Sequence, residues 1–192
     1  MKRILFLALA LVAFCSVRAQ QPVYVYGVDF AQCKVFGALE SPSEFQNAFI
    51  GVNELLYGQM HKYNFAPLVG NNAQYYLQPM IDRNKETQFA TIKLPARELP
   101  TLDVQQIIKT YELPQIEGEG FVMIARLLDK TQEKGFYYLV TFDVATRELL
   151  KVEEAEALAG GFGLRNYWAR TVYNILIDAA DKAKKATRRN RK

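Results

Sequence analysis

Glu153, Glu154 and Glu156 form a local acidic cluster. On a strand, Glu154 and Glu156 share one face and Glu153 lies on the other. Paired carboxylates can hold Ca²⁺, or act as acid and base on a glycosidic bond. No second motif accompanies them, and a solvated strand edge is the better reading of all three. The run Gly160-Gly161-Phe162-Gly163 precedes a helical pattern. Backbone N–H groups at Gly161 and Gly163 could cradle an anion there, with Arg165 as its charged partner. The run lacks the Lys-Ser/Thr of a phosphate-binding loop and the spacing of a dinucleotide fingerprint, so a sharp strand-to-helix turn is its simpler role. Tyr24 and Tyr26 alternate with Val23 and Val25 and put two rings on one strand face. Such a pair, if exposed, suits a glycan or peptide; cross-strand packing explains it without a ligand.

Other reactive residue types are sparse. With a single histidine, His61, a multi-histidine zinc site is impossible. No nucleophile elbow, zinc-protease motif or kinase signature occurs. Cys33 lies beside an apolar strand and reads as a buried thiol, with nothing to place His61 next to it. No cofactor is expected.

The elements that would position these residues follow from periodicity. Val23 to Phe30 is rich in β-branched and aromatic residues and reads as a strand, with Lys34 to Ala38 continuing it after a break. Ser41-Pro42-Ser43-Glu44 is a helix start, and Phe45, Ala48, Phe49, Val52, Leu55 and Leu56 recur at helical spacing up to Gly58. Asn53 falls on the polar side of that pattern. Between residues 59 and 100 the pattern is weak: Gln74–Ile81 and Gln88–Leu94 suggest short strands, and Asn71-Asn72 and Asp82-Arg83-Asn84-Lys85 suggest turns. Thr101 would cap a second helix from Leu102 to Tyr111. Gly120–Leu128, Phe136–Val144 and Leu149–Ala157 read as a three-strand antiparallel meander. Leu164, Trp168, Val172, Ile175, Leu176 and Ala179 make the stripe of a last helix. The order predicts an α+β fold: a mostly antiparallel sheet with a C-terminal meander, about three helices mainly on one face, and one shared core.

The charge balance is a sum of unlike parts. The chain has 192 residues and a formal charge of +4. Lys2 and Arg3, the apolar run Ile4–Phe14 and the small residues Val17 and Ala19 fit a secretory signal peptide over residues 1–19. A lipidated Cys15 is disfavoured by the bulky Phe14 before it. Without this segment, 21 basic residues face 20 acidic ones. From Asp181 onward seven basic residues accompany one acidic, so residues 20–180 carry 14 basic and 19 acidic groups. The expected organisation is a signal peptide (1–19), one α+β domain (20–181) and a basic, disordered tail (182–192). An acidic exported body argues against nucleic acid. The tail would give at most weak contact with anionic surfaces.

The phrases Tyr-Tyr-Leu-Val-Thr-Phe-Asp-Val-Ala-Thr-Arg-Glu (137–148), Gly-Gly-Phe-Gly-Leu-Arg-Asn-Tyr-Trp (160–168) and Tyr-Val-Tyr-Gly-Val-Asp-Phe (24–30) carry a resemblance. The chain resembles a family of small secreted Bacteroidota proteins, which implies an envelope location and transfers no catalytic residue. More loosely, it is similar to envelope α+β domains such as the outer-membrane activators of peptidoglycan synthases and the N-terminal domain of the Tol propeller protein. Those domains mainly bind other proteins, and fold-level likeness does not establish function. The expectation is an exported, periplasmic or secreted, noncatalytic module that binds an envelope protein or glycan. The alternative is a carboxylate-based hydrolase acting on glycan or cell-wall material through Glu154 and Glu156.

Overall fold

The computed structural model describes residues 22–189, so the signal-peptide segment and the last three residues lie outside the described part. Six strands and five helices occur within it: β1 (Val23–Asp29), β2 (Lys34–Phe36), α1 (Pro42–Gly58), α2 (Ala66–Val69), β3 (Ala73–Tyr75), α3 (Gln78–Glu86), α4 (Val104–Lys109), β4 (Glu119–Asp129), β5 (Lys134–Asp143), β6 (Leu149–Leu158) and α5 (Leu164–Arg189). They form one sheet in the order β3-β1-β4-β5-β6, with β2 pairing β4 beyond the end of β1. The long β4–β5 and β5–β6 pairings are antiparallel and make the expected meander. The shorter β1–β3, β1–β4 and β2–β4 pairings are parallel, so the α+β fold carries a mixed sheet.

Local chemistry explains the elements that the periodicity predicts. Ser41 caps α1: its hydroxyl accepts from the Glu44 N–H, and the Glu44 carboxylate accepts from the Ser41 N–H at 2.7 Å. Phe45, Ala48, Phe49, Val52 and Leu56 of this helix are buried. The expected strand over residues 74–81 is instead the three-residue β3 followed by α3. Pro79 sits in the first turn of α3, where a missing N–H costs nothing. The polar run Asp82–Lys85, read as a turn, lies inside this helix. Its buried positions are few, so the sequence shows no stripe. The expected strand Gln88–Leu94 reduces to a single bridge between Val35 and Lys93. Asp103, not Thr101, caps α4, accepting from the Gln106 N–H.

Helix α5 continues past Asp181 to Arg189, so residues 182–189 of the expected tail are helical. The apolar stripe ends there, but alanines, lysines and arginines are good helix formers, and cations suit the negative end of the helix dipole.

The helices do not share one face or one core. Side chains of α1 and α5 pack with Val23, Val25, Val28, Phe121, Met123, Tyr137 and Leu139 on one side of the sheet. On the other side α4 packs Val104, Ile107 and Ile108 against Tyr26, Val122, Ile124, Val140 and Phe142. Both faces of β4 and β5 are therefore covered, as their near-continuous apolar sequences require.

Gly27 decides which side chains of β1 enter which layer. Val25 pairs with Phe121 and Val28 with Met123, so Tyr26 and Gly27 together oppose one residue of β4. Gly27 has φ +89°, which puts Val25 and Val28 in the same layer despite their odd spacing. The bulge is held by two buried asparagines. Asn53 of α1 accepts from the Val28 N–H and donates to the Val28 carbonyl, both at 2.8 Å. Asn84 of α3 donates to that same carbonyl and accepts from the Phe30 N–H. Asn53 thus belongs to the core, where its amide replaces the ladder that the bulge interrupts.

Candidate functional site

The predicted site residues fall in three separate places. Tyr26 is fully buried, stacked on Phe142 at 5.9 Å and edge-on to Tyr76 at 6.1 Å. Burial pushes its phenol up to about 12, so it stays protonated. Tyr24 is half-buried against the same layer. The two rings are core and offer no exposed platform; alternation put them on one face, and α4 covers that face.

Glu154 and Glu156 lie on the edge strand β6, on the side away from α5. Each is bound to a cation rather than to another carboxylate. Arg126 donates to Glu154 at 2.9 Å, and Lys134 to Glu156 at 2.6 Å. Arg126 is itself buried, stacked 4.1 Å from the Tyr138 ring and donating to the Pro100 carbonyl. The two acids therefore tie the meander together through neighbouring strands. Among the described residues, no group of three or more His, Cys, Asp or Glu side chains is placed to hold a metal ion. Cys33 is a buried free thiol whose ionisation is opposed chiefly by burial, and His61 is exposed.

The third place is the Gly-rich turn. Gly161 and Gly163 both have positive φ, +104° and +81°, which lets the chain reverse from β6 into α5 within a few residues. The turn is tied to α5 by bonds from the Gly160 N–H to the Tyr167 carbonyl and from the Asn166 amide to the Phe162 carbonyl. Phe162 stands at its tip, 95% exposed. Beneath the turn lies a cavity of about 340 Å³ between the end of α1 and the start of α5. It is lined by Lys62, Arg165 and Arg170, by Tyr63 and Tyr173, and by Gln59 and Asn166 among others, with no acidic residue in its wall.

The packing shows how these groups converge. The stem of Arg165 lies over Gly51 of α1, where an added Cβ would meet it at 2.8 Å. The Lys62 ammonium is 5.3 Å from the Tyr63 ring and 5.6 Å from the Tyr173 ring. The Arg170 guanidinium lies 5.3 Å from the Tyr173 ring, and the two tyrosines meet edge to face. Tyr63 is only 2% exposed as a residue, and it lines the cavity beside these cations. Burial raises its pKa, while the charges of Arg170 and Arg165, which line the same cavity, act to lower it. None of Lys62, Arg165 and Arg170 forms an ion pair among the described residues.

Gly161 and Arg165 are thus brought together in one cavity, with Gly163 in the same turn. Sequence reasoning missed Lys62, Tyr63, Arg170 and Tyr173. A signal for two of them exists: Asn166, Arg170 and Tyr173 recur at four and three along α5, a polar stripe beside the apolar one. Lys62 and Tyr63 follow the end of α1 and join only through the α1–α5 packing. No family model, curated protein or solved structure matches the chain.

Proposed function

We propose that this protein is a noncatalytic binding module of the cell envelope that recognises an anionic component through the pocket between α1 and α5. The observation that carries this reading is the convergence of Lys62, Arg165 and Arg170 on one concave surface free of acidic side chains. Like charges brought together cost free energy in the unliganded protein, and an anion removes that cost. The body of the chain is acidic, so this basic pocket is a local exception rather than part of a general field. The envelope address rests on the residue pattern of segment 1–19 and on the family resemblance. Binding rather than turnover is favoured because Glu154 and Glu156 are neutralised by Arg126 and Lys134. The test is retention of envelope components on the immobilised protein. A specific component should be retained by the wild type and lost by the Lys62→Gln/Arg165→Gln/Arg170→Gln variant. Equal retention by both would remove the pocket from the reading, and reproducible turnover of a cell-wall glycan would replace binding with catalysis.

A further inference from the structure

Resting on that reading, we infer that the ligand group taken by the pocket is a phosphate monoester whose substituent carries an apolar part. Charge is the first argument. Three cations without acidic partners face the cavity, and a monocarboxylate would leave most of that charge uncompensated. A phosphate monoester carries between one and two negative charges at neutral pH and three acceptor oxygens. Arg165 and Arg170 supply planar forks that match such oxygens, and Lys62 supplies a point charge.

The Tyr63 hydroxyl is the second argument. A phenol hydroxyl is a donor that a ligand oxygen can accept from. Tyr63 lines the cavity, where its hydroxyl can donate to a ligand oxygen. Size and shape supply the third argument. A volume of about 340 Å³ lies at the small end of ligand sites and holds a phosphorylated head rather than a polymer. At the rim Phe162 stands fully in solvent between two glycines, an exposed ring beside a charged pocket. It is placed to cover the apolar part of an ester whose phosphate is held below. A soluble ester and the head of a lipid with a monoester phosphate share this chemistry.

Calorimetric titrations with methyl phosphate, phenyl phosphate and benzoate test the assignment, together with flotation of phosphatidylcholine vesicles with and without phosphatidic acid. Phenyl phosphate should bind at least tenfold more tightly than benzoate, and its affinity should fall with added salt. Arg170→Gln should weaken it about tenfold or more. Phe162→Ala should weaken phenyl phosphate but leave methyl phosphate unchanged. Tyr63→Phe should weaken both several-fold while leaving the melting temperature unchanged, because no protein hydrogen bond is lost; a purely structural tyrosine would not separate these readouts. Binding of the soluble esters alone assigns a soluble ligand, and Arg170-dependent flotation with phosphatidic acid assigns a membrane-borne one; either upholds the inference. Absence of binding to every phosphate probe, or benzoate binding as tightly as phenyl phosphate, would overturn it. If envelope retention still depends on the three cations in that case, the binding-module reading survives and only the ligand class falls.

Discussion

Gly27→Ala should destabilise the protein severely, and its added cost should fall by more than half in a background where Asn53 is already truncated. An alanine Cβ at position 27 would stand 2.4 Å from the Asn53 Oδ1, which no packed structure tolerates. The backbone there has φ +89°, which costs an L-residue about 1–2 kcal/mol. Displacing Asn53 breaks its paired bonds to the Val28 N–H and carbonyl. The carbonyl keeps the Asn84 amide at 3.1 Å, so the Val28 N–H is the group left orphaned. A buried donor without a partner costs about 1–3 kcal/mol, and the single substitution should therefore cost about 2–5 kcal/mol in all. Asn53→Ala alone should cost about 2–4 kcal/mol through the same orphaned N–H and the cavity it leaves. In that background the clash with Asn53 is gone; the Cβ still meets the flexible Leu77 side chain at 3.1 Å, which can shift, and Gly27→Ala should add chiefly the conformational term, about 1–2 kcal/mol. The coupling between the two sites is then about 2 kcal/mol. Urea unfolding followed by the fluorescence of Trp168, the one tryptophan and fully buried, measures all four species. Additive losses within about 0.5 kcal/mol would refute the argument that the bulge exists to admit the Asn53 amide.

The Glu154→Gln/Glu156→Gln double variant should lose under about 1 kcal/mol of stability and leave ligand retention unchanged, since both side chains are more than half exposed; thermal melts and the retention assay check this. Tyr137→Phe should cost about 1 kcal/mol in urea unfolding. The Tyr137 hydroxyl meets that of Thr171 at 2.6 Å, but Thr171 keeps its bond to the Trp168 carbonyl. Burial opposes ionisation of Asp129, but the Thr131 hydroxyl, Arg97, and the backbone N–H groups of Gln132 and Thr131 outweigh it and hold its pKa below the usual range. Its folded pKa is depressed, so its stabilisation is present above the unfolded value near 4 and is lost as pH falls through the folded one. Asp129→Asn should therefore flatten the acid limb of the stability profile below about pH 4, and an unchanged slope there would count against the assignment.

Sequence by itself determined the elements whose chemistry is local. The Ser41–Glu44 box started α1, alternation and short turns marked the meander, and the stripe from Leu164 to Ala179 marked α5. It also singled out the Gly-rich turn with Arg165. Hydrophobic period reports which face of an element is apolar and is silent about what covers the opposite one. For that reason Tyr26 could be read as surface, and Asn53 and the polar helix α3 could not be recognised as parts of the core. Parallel pairing of β1 with β3 and β4 joins residues some 50 to 100 positions apart, and no local pattern encodes it. The pocket shows the same division. Gly161 and Arg165 are neighbours in sequence, whereas Lys62 and Tyr63 reach them only because α1 and α5 pack side by side on one face of the sheet. Types and spacing supplied the charges; tertiary packing decided that three of them share one cavity with the rings of Tyr63 and Tyr173.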